Sequence, residues 1–136
     1  MKTRKGYKVY PLTNAQKFHL FYQKFCPKKQ VVNIGNSLTI GTEVDWEVLK
    51  QAIYKAYERC ESMRLRFTQD KDGNYYQYVV EKEEREIEFV DFSGHSMEEA
   101  EMVMRGWTEV PFEHKDNPMN RIVMIQTPDG FKGVYL

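Results

Sequence analysis

The chain has 136 residues, of which 41% are hydrophobic, 14% aromatic and 29% charged, and its twenty Lys+Arg balance its twenty Asp+Glu. This length suits a single domain, 1–136, with one real core. The neutral balance lacks the excess positive charge that phosphate binding demands, so no nucleic-acid partner is expected. No apolar run approaches the roughly 20 residues of a membrane span, and Met1-Lys2-Thr3-Arg4-Lys5-Gly6 leads into no apolar segment of a secretory signal. No membrane partner is expected. Cys26 and Cys60 are too few for a disulfide framework, which points to a reduced, cytoplasmic setting.

Thr13-Asn14-Ala15-Gln16 is a capping box that opens a first helix, with Ala15, Phe18, Phe21, Tyr22 and Phe25 on one apolar face. Pro27 should stop it. Over 31–40 the period changes to two, with Val32, Ile34, Leu38 and Ile40 in phase, so a strand is predicted there. The same phase places Asn36 on that face, where a buried amide would need partners. Asp45 is an N-cap for a second helix whose face is Leu49, Ala52, Ile53, Ala56, Tyr57 and Cys60. Residues 65–68 and 75–80 flank Asp72-Gly73 and read as a hairpin. A short strand follows at 87–90, and Ser96-Met97-Glu98-Glu99 is a second capping box that opens a third helix with Ala100, Val103, Met104 and Trp107 on one side. Residues 122–126 and 131–136 flank Thr127-Pro128-Asp129-Gly130, a second hairpin turn. The order β-α-β-α-β-β-β-α-β-β predicts a mixed α/β fold with an at least partly antiparallel sheet. The chain ends inside the last apolar strand with no polar tail, which reads as a cut.

Chemistry is sparse by spacing alone. His19 faces away from the first helix's apolar stripe, and His95 and His114 lie beside turns with no second ligand at a metal-binding spacing. Cys60 reads as a small buried hydrophobe. A Cys60–His95 pair would meet only in the fold, and nothing marks Cys60 as a stabilised thiolate. Glu81-Lys82-Glu83-Glu84-Arg85-Glu86 reads as a solvated run of alternating charge. No glycine loop cradles a phosphate, and Asp91-Phe92-Ser93-Gly94-His95 reads as turn chemistry.

Two segments say more. Tyr10-Pro11-Leu12-Thr13-Asn14-Ala15-Gln16 resembles the opening Pro-Leu-Ser/Thr-x-x-Gln motif of the condensation domains of nonribosomal peptide synthetases. Arg59-Cys60-Glu61-Ser62-Met63-Arg64-Leu65-Arg66-Phe67 is similar to the second family motif, Arg-His-Glu-x-Leu-Arg-Thr-x-Phe, with Cys60 in place of the histidine. Asp45-Trp46-Glu47-Val48-Leu49-Lys50-Gln51-Ala52, Gln77-Tyr78-Val79-Val80, Val90-Asp91-Phe92-Ser93 and Pro111-Phe112-Glu113 with Asn117-Pro118-Met119-Asn120-Arg121 follow in family order.

The resemblance implies an α/β fold of the α+β two-layer type, the N-terminal lobe of a chloramphenicol-acetyltransferase-like architecture with helices packed on a mixed sheet. It implies an acyltransferase of secondary-metabolite biosynthesis that joins a carrier-bound acyl thioester to an amine. The family's His-His-x-x-x-Asp-Gly signature does not occur among these residues. The expectation is therefore a fragment, truncated before that signature and inactive alone, with no catalytic, cofactor-binding or metal-binding residues of its own. Arg64 matches the arginine that supports the signature's aspartate, so a structural role is implied for it. Phe18 through Phe21 are expected to be packing residues. Implied partners are the C-terminal lobe of the same domain and acyl or peptidyl carrier proteins bearing phosphopantetheine; self-association of the fragment is also expected. Two other readings stay open: a non-catalytic carrier-protein docking domain, and a lobe of a free-standing acyltransferase.

Overall fold

A computed structural model describes residues 3–136. In chain order its elements are β1 (Thr3–Arg4), β2 (Tyr7–Lys8), β3 (Tyr10–Pro11), α1 (Asn14–Phe25), β4 (Ser37–Gly41) and α2 (Trp46–Arg59). A 3-10 turn, Glu61–Arg64, leads to β5 (Leu65–Gln69), β6 (Tyr75–Val79), β7 (Glu88–Asp91), α3 (Met97–Thr108), β8 (Val123–Gln126) and β9 (Lys132–Tyr135). The mixed α/β class is the one expected, but three short strands stand before α1 where the expected order had one. The residues form two compact units, one of 3–32, 57–83 and 111–119, the other of 33–56, 84–110 and 120–136.

In the first unit β1 and β2 form a two-stranded ribbon, and a three-stranded antiparallel sheet has the order β3-β6-β5. The hairpin joining β5 to β6 turns at Gly73, whose φ of 85° favours glycine. Both halves of the Thr13/Gln16 capping box are made. Gln16 also donates through Nε2 to Gln77 Oε1 at 2.7 Å, and Gln77 Nε2 donates to the Pro11 carbonyl. These amides fix the rotation of α1, so that Gln23 is buried. The expected aromatic stripe is not: Phe18, Phe21 and Phe25 are 64–67% exposed. The packing role foreseen for Phe18 through Phe21 is thus overturned. The rings pair along the helix instead, Phe18 with Tyr22 and Phe21 with Phe25 at centroid distances of 6.3 and 4.7 Å.

The second unit is built on a four-stranded mixed sheet of order β4-β9-β8-β7. β7 and β8 run parallel, and α3 connects them as a βαβ unit. Ser96 and Glu99 complete the second capping box. Phe92, Ala100, Met104, Val123, Ile125 and Tyr135 form the core between α3 and one sheet face. Each large apolar side chain there stabilises the unit by about 1.5–3 kcal/mol. On α2, capped by Asp45, Leu49 and Ile53 are buried as expected, whereas Ala52 and Cys60 are exposed. The buried-hydrophobe reading of Cys60 is therefore corrected. It lies past the end of α2, where the chain has left the helical period.

The strand foreseen over 31–40 begins only at Ser37. Residues 33–36 serve another purpose. Asn33 Nδ2 donates to the Thr108 and Val110 carbonyls, which closes the C-terminus of α3. Gly35 then passes where Thr108 Oγ1 and Tyr135 Oη share a 2.6 Å hydrogen bond, and a Cβ at this position would overlap both oxygens. Asn36 is exposed, so its amide needs no buried partner, and its backbone pairs with that of Leu136. Replacing Gly35 by Ala should therefore cost about 1–3 kcal/mol through overpacking. Gly94→Ala, where a Cβ meets nothing within 4 Å, should be nearly neutral. Urea denaturation of the two variants measures the difference.

Candidate functional site

Arg64 closes the 3-10 turn and has its guanidinium almost fully occupied by backbone. Its Nε donates to the Tyr57 carbonyl at 2.7 Å and its Nη2 to the Glu58 carbonyl at 3.2 Å. Both are orphan acceptors of the last turn of α2. Its Nη1 donates to the carbonyls of Val80 and Glu81 at 2.5 and 2.8 Å, just past β6. Four of its five N–H groups thus hold the end of a helix to the end of a strand, which leaves one Nη2 proton for a further acceptor.

Beside it on β5, Arg66 forms an ion pair with Glu83 at 2.6 Å, and both side chains are 6% exposed. Sequence reasoning missed this pair. Residues 81–86 look like a solvated charge run, but Glu83 is buried against Arg66, and Arg85 donates to the backbone and side-chain oxygens of Asn120. Alternating charge carries no sign of which member turns inward. The one signal was Arg66 itself, a cation set within a strand between Leu65 and Phe67.

A second charged group pins residues 111–119 of the first unit. Asp116 accepts from Arg4 Nη2 at 2.5 Å and from Tyr78 Oη at 3.0 Å, and its backbone N–H donates to the Phe67 carbonyl. Asp116 has φ 61°, a left-handed conformation costing roughly 1–3 kcal/mol, which these bonds offset. The hydrogen bond from Arg4 holds the Asp116 carboxyl below the usual carboxylate range. Burial first, then the bond to Asp116, pushes the Tyr78 phenol up to about 12.

The histidines do not converge on a nucleophile. His19 is exposed against Phe18, His95 is exposed at the edge of Phe92, and His114 is half-buried against Phe67, where burial lowers its pKa. Ser93 Oγ donates to Asp91 in a tight turn and accepts from Gln126, so residues 91–95 are turn chemistry as read. Cys26 and Cys60 are free thiols. Among the described residues no cluster of His, Cys, Asp or Glu is arranged to hold a metal ion, and no helix is long and apolar enough to cross a membrane. The first unit also encloses an open cavity of about 1000 Å³ between α1, the β5–β6 turn and residues 111–114.

The architecture is that of a chloramphenicol-acetyltransferase-like α/β lobe. The first condensation domain of the calcium-dependent antibiotic synthetase, solved with a substrate analogue, superposes with a TM-score of 0.80 at 22% identity over 94% of this chain and 32% of that one. The condensation-domain sequence family matches residues 7–132, and the chain belongs to that family, as an N-terminal portion of the domain. It is similar to a surfactin synthase of Bacillus subtilis (33% identical over 84 residues, 60% of this chain) and to a linear gramicidin synthase of Brevibacillus parabrevis (27% over 123 residues, 88% of this chain). The chain spans 2% of the length of each of these two relatives.

Two outcomes follow from the charged groups. Arg64→Ala removes one cation and the four hydrogen bonds it gives to the carbonyls of Tyr57, Glu58, Val80 and Glu81. It should destabilise the chain by about 2–4 kcal/mol, and Arg64→Lys should recover little because an ammonium cannot span four carbonyls. Guanidinium denaturation reads both. For Tyr78, a folded pKa of about 12 against an unfolded value of 10.0 means that the folded state holds a proton which the unfolded state releases. This contribution is intact below pH 10 and is lost as the pH rises to about 12. The Tm of Tyr78→Phe should therefore fall less steeply than that of the native chain across this window.

Proposed function

We propose that the chain serves as the N-terminal lobe of a condensation domain that, in its intact form, joins a carrier-bound acyl thioester to the amine of a second substrate. The observation carrying this reading is the family match over residues 7–132, nearly the whole chain. The named relatives are a surfactin synthase and a linear gramicidin synthase, which supports placing the chain in amide-forming acyl transfer of secondary metabolism. The partners are then a C-terminal lobe and carrier proteins whose phosphopantetheine arms bring the thioester. Two free thiols suit a cytoplasmic setting. Self-association of the isolated chain is supported by Leu38 and Ile40, 58% and 54% exposed on the edge strand β4.

In this reading the role of Arg64 is structural support. Its four backbone bonds hold the 3-10 turn rigid, and the remaining Nη2 proton is directed to the aspartate of the family signature as a charge-assisted bond. Transfer itself needs a group that orients or deprotonates the attacking amine, and His19, His95 and His114 stand singly in this sequence.

The test is aminolysis of a phosphopantetheine thioester by a free amine with and without the 136-residue chain. No acceleration is expected. An acceleration abolished by His95→Ala or His114→Ala would overturn the reading of the chain as a lobe inactive by itself.

A further inference from the structure

The cavity of about 1000 Å³ in the first unit has the size of a small-molecule site. Its charge is one-sided. Lys17, Lys24 and Lys29 line it, and among the described residues its lining includes no aspartate or glutamate, although the chain as a whole is neutral. The nearby carboxylates are engaged elsewhere. Asp70 accepts from the backbone of Asp72 and Asn74 within its own turn, and Glu113 accepts from Asn117 Nδ2.

Four aromatic rings also line it. They are Phe21, Tyr75, Tyr76 and Phe112, of which Phe21 is 64% and Tyr75 37% exposed. On α1 the two kinds of group are interleaved. Lys17 and Lys24 are seven residues apart, about 10 Å along the helix axis, and Leu20 and Phe21 lie between them. Lys29 is held in place by the Gln23 and Lys24 carbonyls. Lys17 and Lys24 therefore bracket Phe21 along α1, with the Lys24 ammonium 6.0 Å from the centre of the Phe25 ring.

We propose that this cavity binds a small aryl carboxylate, its ring among Phe21, Tyr75 and Phe112 and its carboxylate at the ammonium groups of Lys17 or Lys24. The ring burial supplies the attraction that is insensitive to salt, and the lysines select the ionised acid over its neutral isostere. The neutral imidazole of His114 adds a hydrogen-bond donor or acceptor without further charge. This site is independent of the acyl-transfer reading, since it needs neither a thioester nor a second lobe.

The experiment is titration of the 136-residue chain with phenylacetate, phenylacetamide and octanoate, followed by backbone amide chemical shifts. Phenylacetate should bind saturably with a Kd of about millimolar or tighter, and shifts should be confined to residues around α1, the β5–β6 turn and 111–114. Phenylacetamide should bind at least about tenfold more weakly. Lys17→Gln with Lys24→Gln should weaken phenylacetate about fivefold or more while leaving the spectrum of the free chain otherwise intact, and Lys82→Gln, outside the cavity, should not. Three results would each overturn the proposal: no saturable binding of phenylacetate, equal affinity for its amide, or octanoate binding as tightly as the aryl acid.

Discussion

The helices α1, α2 and α3 end without a glycine, and each passes its last carbonyls to a side chain from another segment. At α1 the acceptors are Gln23 and Lys24, bonded by Lys29; at α2 they are Tyr57 and Glu58, bonded by Arg64; near the end of α3 they are Thr108 and Val110, bonded by Asn33. A helix leaves its final carbonyls without intrahelical partners, and an αL glycine is the local remedy. Here the remedy is non-local. Each helix end thereby becomes a tie point that draws a following or preceding segment against it, and the loops take their courses from those ties.

The consequence is clearest at Asn33. Its two bonds hold residues 33–36 over the end of α3, bring Gly35 beside the Thr108–Tyr135 hydrogen bond and delay the strand until Ser37. Arg64 does the equivalent in the other unit by joining the end of α2 to the end of β6. The arginine that matches the family motif is thus a backbone clamp between the end of α2 and the end of β6.

Buried charge is handled in the same way. Arg66 and Glu83 are nearly inaccessible but satisfy one another, and Asp116 keeps its left-handed backbone because Arg4 and Tyr78 converge on its carboxylate. Removing a single partner from such a group leaves a desolvated charge, which costs far more than the intact pair contributes. The overall neutrality of the chain hides this organisation. The Arg66–Glu83 pair lies inside, while lysines line the wall of a cavity that also holds aromatic rings.

Elements whose signals are local could be read directly from the order of residues. The capping boxes at Thr13 and Ser96, the cap at Asp45, the turn at Gly73 and the mixed α/β class were all legible, because each depends on residues within a few positions of one another. The family motifs were legible for the same reason, and they brought Arg64 into view. Which apolar face each element buries, and which charges turn inward, emerged only when distant segments met. The helical period of Phe18, Phe21 and Phe25 is real, yet the Gln16–Gln77 bond rotates that face outward. The alternation over 31–40 is real, yet Asn33 is claimed by a helix end 75 residues away. Glu83 belongs to a polar run, yet a buried arginine makes it part of the interior. Periodicity records that a face exists, but its burial depends on a partner from a distant part of the chain, and no local pattern carries that information.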